Sequence, residues 1–179
     1  MKTRTVTLST GESFSVPQGV QRLDSKSTRG WQVRYQGTKY FSDGASGPGK
    51  ALEAATKELL RRIATLPAPV SLHRAPNSGK ASGLPVGISG PIILGKGGTE
   101  VMAAVLSVAV PRFGKANLTK KVHIGTPNTY TKTRYRQALA KAIELREQGM
   151  AQYEAAATKA KRGQAVNFKR ALRSAAGGA

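Results

Sequence analysis

The stretch LPAPVSLHRAPNSGKASG, residues 66–83, constrains this chain more than any other. Three prolines among Gly, Ser and Asn prevent it from continuing a helix or a central strand, so it reads as a linker. The 179-residue chain is thereby cut into two short parts, and 39% hydrophobic residues supply modest cores rather than one large one. The periodicity on each side specifies how those cores are built.

In the first part, Pro17-Gln18-Gly19 is a turn, Val20–Leu23 a short strand, and Trp31-Gln32-Val33-Arg34-Tyr35 an alternating, half-buried strand. Gln36-Gly37 is a two-residue hairpin signal returning into Thr38–Phe41. Gly47-Pro48 suits a helix start, and Leu52, Ala55, Leu59 and Ile63 form one apolar stripe until Pro67 and Pro69 stop the helix. In the second part, Leu84–Leu94, Val101–Val110 and Lys120–Ile124 read as strands, Pro111–Thr119 as a long basic loop, and Arg134–Ala157 as a helix with Tyr135, Ala138, Leu139, Ala142 and Ile143 inward. The expected organisation is a 1–16 N-terminal arm (an edge strand or a disordered segment), a 17–65 unit, a 66–83 linker, an 84–157 unit, and a 158–179 basic tail disordered when unbound. The fold class is α+β: two small units, each a three-stranded antiparallel sheet backed by one helix.

The two units share their order of elements. Phe41 precedes Leu52 by the same spacing that separates Ile124 from Tyr135, and Ala55, Leu59 and Leu60 align with Ala138, Ala142 and Ile143. The second unit carries extra residues between its first and third strands, which the Pro111–Thr119 loop can hold. The chain therefore reads as a tandem repeat.

Charge narrows the partner. Twenty-nine Lys and Arg face nine Asp and Glu, giving a net +20, and such uncompensated cations repel one another until a polyanion neutralises them. Five of the nine acids lie on the expected helices, with Glu53–Lys57 and Glu58–Arg62 at helical pairing distance. The strands and loops carry mostly unpaired cations, which places a basic face on the sheets. No basic segment carries the large apolar anchors of a membrane-surface helix, so nucleic acid is the expected polyanion.

Other classes are excluded on composition. The absence of cysteine removes disulfides, thiolate metal sites and cysteine nucleophiles, and two histidines, His73 and His123, cannot build a clustered metal site. Asp24 and Asp43 are the only aspartates and lack acidic partners for a two-metal centre, and Gly95-Lys96-Gly97-Gly98 lacks the Gly-Lys-Ser/Thr end of a phosphate-binding loop. No cofactor, no small-molecule substrate and no enzymatic activity are expected. Val101–Val110 is about half the ~20 residues of a membrane helix, and no apolar run follows the basic N-terminus, so the chain reads as soluble and cytoplasmic.

The ordered set Gly19-Val20-Gln21-Arg22, Arg29-Gly30-Trp31-Gln32-Val33-Arg34-Tyr35, Thr38-Lys39-Tyr40-Phe41 and Ala51-Leu52-Glu53-Ala54-Ala55 resembles the Apetala/ethylene-response-factor type of DNA-binding domain, with its bacterial and phage relatives. Lys120-Lys121-Val122-His123-Ile124-Gly125 and Tyr135–Leu145 carry a looser match in the second unit. The departures are Ser42, where the family has Gly after the third strand, and a long Gly-rich loop before the helix. The resemblance implies a sheet that enters the major groove with the helix behind it, in a regulator, an architectural protein or a mobile-element accessory protein.

The residues themselves specify the site. If Trp31, Val33 and Tyr35 pack on the helix, Gln32, Arg34 and Gln36 point away, because strand side chains alternate. Gln and Arg pair bidentately with adenine and guanine edges. The base-reading candidates are Arg34, Gln32, Gln21, Thr38 and Tyr40, with Lys121 and His123 on the equivalent face of the second unit. Arg22, Lys26, Arg29, Lys39, Arg112, Lys115 and Lys120 are candidates for phosphates, which fix register rather than sequence. The expected partner is duplex DNA, bound in the nucleoid, with an RNA- or ribosome-associated role as the alternative. A second copy of the chain is a further candidate partner, through the apolar Val101–Val110 strand of the second unit.

Overall fold

A computed structural model describes residues 1–72, 82–96 and 99–176. His73 and the Gly97-Gly98 pair lie outside the described residues. The fold is α+β, with three antiparallel sheets of two, three and three strands and two helices. Contacts divide the described chain into two compact units, residues 1–69 with 157–176, and residues 70–156.

The first unit opens with β1 (Thr3–Thr7) and β2 (Ser13–Pro17), paired as a hairpin with Val6 opposite Phe14. The 1–16 segment is therefore neither a lone edge strand nor a loose arm. Leu8 and Val16 are buried in the first core, Val6 and Phe14 pack against it, and Phe14 meets Trp31 edge-on at 5.9 Å. These few apolar side chains hold an otherwise Thr- and Ser-rich hairpin.

The three-stranded sheet follows as β3 (Val20–Asp24), β4 (Arg29–Arg34) and β5 (Thr38–Ser42), adjacent in chain order. Gln36 and Gly37 both adopt positive φ, 48° and 100°, the conformation required of a tight hairpin turn. After a short 3-10 turn at Gly44–Ser46, α1 (Gly47–Thr65) covers the sheet with Ala51, Leu52, Ala55, Leu59 and Ile63 buried. Trp31 is fully buried, and its indole N–H donates to the Pro48 carbonyl at 2.8 Å, tying β4 to the first turn of α1.

The second unit contains β6 (Ile88–Lys96), β7 (Thr99–Arg112) and β8 (Lys115–Gly125), again adjacent in chain order. The expected Pro111–Thr119 loop is instead the end of a long hairpin, with Arg112 opposite Lys115 and a tight turn at Phe113-Gly114, where Gly114 has φ 70°. The additional length of this unit is thus strand rather than loop. Leu106, Val108 and Val110 enter the core with Ile88, Val122 and Ile124, under Ala138 and Ala142 of the helix. The apolar character of the Val101–Val110 strand is in large part accounted for within the unit itself.

The helix α2 runs without a break from Lys132 to Ala176. Gly149 lets it approach β7, since a Cβ there would overlap Val110. Of the 158–179 segment, expected to be disordered, residues 158–176 are helical and belong to the first unit. Ala165 is buried in that core, the Ala68 N–H donates to Thr158 Oγ1 at 3.0 Å, and the Arg162 Nε donates to the Ile63 carbonyl at 3.4 Å. An alanine-rich, proline-free segment has high helix propensity, and its small side chains permit close packing without large apolar residues. Among the described residues, no helix is long and apolar enough to cross a membrane.

Candidate nucleic-acid interface

Strand register decides which side chains share a face. Gln21 lies opposite Gln32, and Gln32 opposite Tyr40, forming one row across the first three-stranded sheet. Arg34 and Thr38 form the next row. All five stand on the side away from α1, because the intervening Val20, Trp31 and Val33 are buried beneath the helix. Arg34, Thr38 and Tyr40 are exposed, and Gln21 and Gln32 are half-buried. Leu23, Gly30 and Ser42 complete the face by alternation, so it carries no carboxylate.

Two contacts organise this face. The Arg34 Nε donates to Gln32 Oε1 at 2.6 Å, which orients the guanidinium and leaves its terminal nitrogens without a protein partner among the described residues. The Tyr40 hydroxyl donates to the Arg29 carbonyl at 2.7 Å, laying the ring across Gly30. A Cβ on Gly30 would overlap both the Tyr40 ring and the Phe41 carbonyl oxygen, so glycine is what permits the ring to lie flat. Beside Gln21 and Arg34, the start of β1 adds Lys2 and Arg4 around a hollow of about 340 Å³. These two cations were missed from the sequence, because nothing local to residues 1–16 places them around the same hollow as Gln21 and Arg34.

The phosphate candidates are not equivalent. Arg22 is not a free cation. It alternates onto the buried side, opposite Trp31, stacks over the indole at 5.1 Å, and donates to both carboxylate oxygens of Asp43 at 2.8 and 2.7 Å. The Asp43 hydrogen bonds raise the Arg22 pKa against the opposing effect of burial. This residue is a strut between β3 and the loop before α1. Arg29 pairs loosely with Asp24 at 3.6 Å and its side chain stays 68% exposed, and Lys26 is exposed in the loop between β3 and β4. Lys39 lies opposite Val33, on the helix side of β5, with its ammonium over the Phe41 ring at 5.3 Å. It belongs to the flank of the sheet rather than its outer face.

The turn that carries Arg34 and Thr38 is clamped from behind. Arg62 donates from Nη1 to the carbonyls of Tyr35 and Gly37 at 3.1 and 2.9 Å, and from Nε to Glu58 at 2.9 Å. Glu58 also receives two bonds from Arg61, and these arginine hydrogen bonds hold its pKa at about 2.

In the second unit, Lys121 lies opposite Ser107, which lies opposite Ser89, and His123 opposite Val105, which lies opposite Ile92. Lys121 and His123 are exposed on the face away from α2, whereas Val122 and Ile124 are buried. Val105 sits on the same outer row yet is only 5% exposed. Lys120 pairs with Val108 and therefore alternates toward the helix side, at the exposed edge strand. Arg112 and Lys115 flank the tip of the hairpin, where the Arg112 Nε donates to the Ala116 carbonyl at 3.0 Å. Their separation from Lys121 follows from the long ribbon that replaces the expected loop. Comparison of the chain with protein-family models, curated sequences and solved structures returns no match.

Proposed function

We propose that this protein is a non-enzymatic duplex-DNA-binding protein that reads the major groove with the outer face of β3-β4-β5. The carrying observation is one acid-free, donor-rich sheet face, with Gln21, Gln32 and Tyr40 in one row and Arg34 and Thr38 in the next, on a chain of net charge +20. Three strands span about 10 Å from edge to edge, and the major groove is about 12 Å wide and displays a full donor–acceptor code. Arg34 is oriented by Gln32 before any ligand arrives, which lowers the cost of ordering a long side chain on binding. Lys2 and Arg4 border the face beside Gln21 and Arg34, and Lys26 and Arg29 line a hollow with Arg22 and Asp43 at the end of the sheet; all four suit phosphates. This arrangement agrees with the resemblance to the Apetala/ethylene-response-factor domain.

The second sheet with α2 repeats the order of the first with α1, and we read it as a diverged tandem copy presenting Lys121 and His123. Two reading units on one chain raise avidity when both engage one duplex. The role that fits is a regulator, an architectural protein or a mobile-element accessory protein acting on the nucleoid.

The test is fluorescence anisotropy with duplex DNA, single-stranded DNA and structured RNA, each over a salt series with random-sequence competitor. Duplex binding that survives competitor, with log K falling by roughly 5–9 per log unit of salt as expected for ~6–10 phosphate contacts, supports the reading. Arg34→Ala costs about 1–3 kcal/mol and relaxes sequence preference, while Lys115→Ala weakens all sequences alike. Preference for RNA, or equal losses for both variants on every sequence, refutes it and favours an RNA-associated role.

A further inference from the structure

Among the described residues, Arg146 of α2 is the one buried polar or charged side chain, 9% exposed. A buried guanidinium is normally met by a carboxylate, because an uncompensated charge in a low-dielectric site is costly. No carboxylate among the described residues pairs with Arg146. Its protein partner is the Ala109 carbonyl, to which Nη1 donates. Burial alone accounts for the lowering of its pKa, with no acidic neighbour offsetting it. The side chain's position is nonetheless built. The Ala109 N–H donates to the Gly87 carbonyl at 2.7 Å, fixing β7 beside that residue. Gly87 has φ 77°, and a Cβ there would overlap the guanidinium itself. The backbone thus keeps open the space the charge occupies.

That space is a hollow of about 640 Å³ within the second unit, lined by Arg146 together with Arg112, Lys115, Asn117 and Tyr153. The ring of Tyr153 is held edge-on by Phe113 at 5.6 Å, so the turn carrying Arg112 and Lys115 is anchored to α2. Guanidinium offers five donors in a rigid fork, of which Ala109 engages one nitrogen. Among the described residues, the buried side-chain atoms without partners are Arg22 Nε and Tyr35 Oη, so no other nitrogen of Arg146 is sealed away unpaired.

We propose that this hollow is a phosphate-binding pocket, with Arg146 supplying a buried, pre-positioned charge and Arg112 and Lys115 flanking the anion from the hairpin turn. Arg112 and Lys115 line the same hollow as Arg146, so an anion there meets an excess of positive charge, and the fork of Arg146 matches the oxygens of a phosphate. The phosphate belongs either to a free phosphate ion or to a nucleic-acid backbone. The pocket does not depend on the sheet face of the first unit, so it stands or falls separately from the base-reading proposal.

The test uses the full chain in phosphate- and sulfate-free buffer. Inorganic phosphate is titrated by calorimetry and by thermal unfolding, against chloride at matched ionic strength. A saturable phosphate response that raises Tm is expected. Arg146→Met, which removes the charge but keeps volume, abolishes that response without lowering Tm in chloride, whereas a purely structural arginine lowers Tm in both salts. Arg112→Gln, an exposed change that leaves the core untouched, weakens phosphate about tenfold, the scale of one charge-assisted hydrogen bond. Anisotropy with a duplex separates the sources. Weaker duplex binding by Arg146→Met, with a salt slope shallower by about one, identifies a backbone phosphate, and unchanged duplex binding with lost phosphate binding identifies the free ion. No saturable phosphate response in the wild-type chain, full retention of it in Arg146→Met, or no weakening in Arg112→Gln overturns the proposal.

Discussion

Arg22 separates a structural from a DNA-contacting reading of the same residue. Its guanidinium makes two hydrogen bonds to Asp43, 2.8 and 2.7 Å long, with side-chain exposures of 11% and 16% for the pair. Removing one member of a buried pair strands the other, at about 3–5 kcal/mol for full burial. The residual exposure, and an Arg22 Nε that already lacks a partner, reduce this to about 2–4 kcal/mol for Asp43→Asn. Arg22→Met leaves Asp43 unpaired and forfeits the stacking on Trp31, worth about 0.5–2 kcal/mol, so a loss of about 2–4 kcal/mol is expected there as well. In the double variant no charge is stranded. Its loss is smaller than the sum of the two single losses by about 2 kcal/mol or more, the coupling expected of a direct pair. The assay is urea unfolding followed by the fluorescence of Trp31, the chain's only tryptophan, which lies under the guanidinium. Duplex affinity of the folded Arg22→Met protein should stay within about threefold of wild type, because an engaged guanidinium is not spent on phosphate. Unchanged stability, together with a salt slope shallower by about one, would falsify the strut and restore Arg22 as a phosphate contact.

Three further outcomes follow from close contacts. Gly30→Ala forces Tyr40 off the sheet and crowds the Phe41 carbonyl, costing about 2–4 kcal/mol as overpacking plus one lost hydrogen bond; an unchanged urea midpoint would show that the ring position does not need glycine. Gly149→Ala gains about 1 kcal/mol of helix propensity but drives a methyl into Val110, so the net effect is a loss of about 1–2 kcal/mol, and a raised Tm would refute the close approach of α2 to β7. Glu58, with a folded pKa of about 2, stabilises the native state above the ordinary carboxylate range and loses that contribution as pH falls toward about 2. Glu58→Gln is therefore less stable than wild type at neutral pH, with the difference closing at the acid end; a pH-independent difference would indicate that the clamp on Arg62 is not electrostatic.

Much of the fold was legible in the chain because it rests on local chemistry. The alternation of Trp31, Val33 and Tyr35, the positive φ demanded at Gln36-Gly37, and the stripe Leu52, Ala55, Leu59 and Ile63 each involve neighbours within a few residues, and each is found in the structure. The same alternation turned Gln32 and Arg34 away from the helix, and register then brought Gln21, Thr38 and Tyr40 beside them. The resemblance implies the same face.

Contacts between distant residues were another matter. Whether Arg22 is a cation for DNA or a strut depends on Asp43, which reaches it only after the sheet and the loop before α1 have closed. The C-terminal segment looked like a solvated basic tail because its apolar content is mostly alanine. The burial of Ala165 in the first core depends on residues far earlier in the chain. The Pro111–Thr119 stretch carries polar and basic residues that suit a loop, and only pairing across Phe113-Gly114 makes it ribbon. Arg146 gave no sign at all, being one arginine on a mixed helix until Gly87 and Ala109 enclose it. Sequence determined the elements and the faces of each strand, because those follow from the chain's own periodicity. Tertiary structure alone decided which of its many cations are already engaged and which remain free to bind, because a charge is engaged only when folding brings its partner within reach.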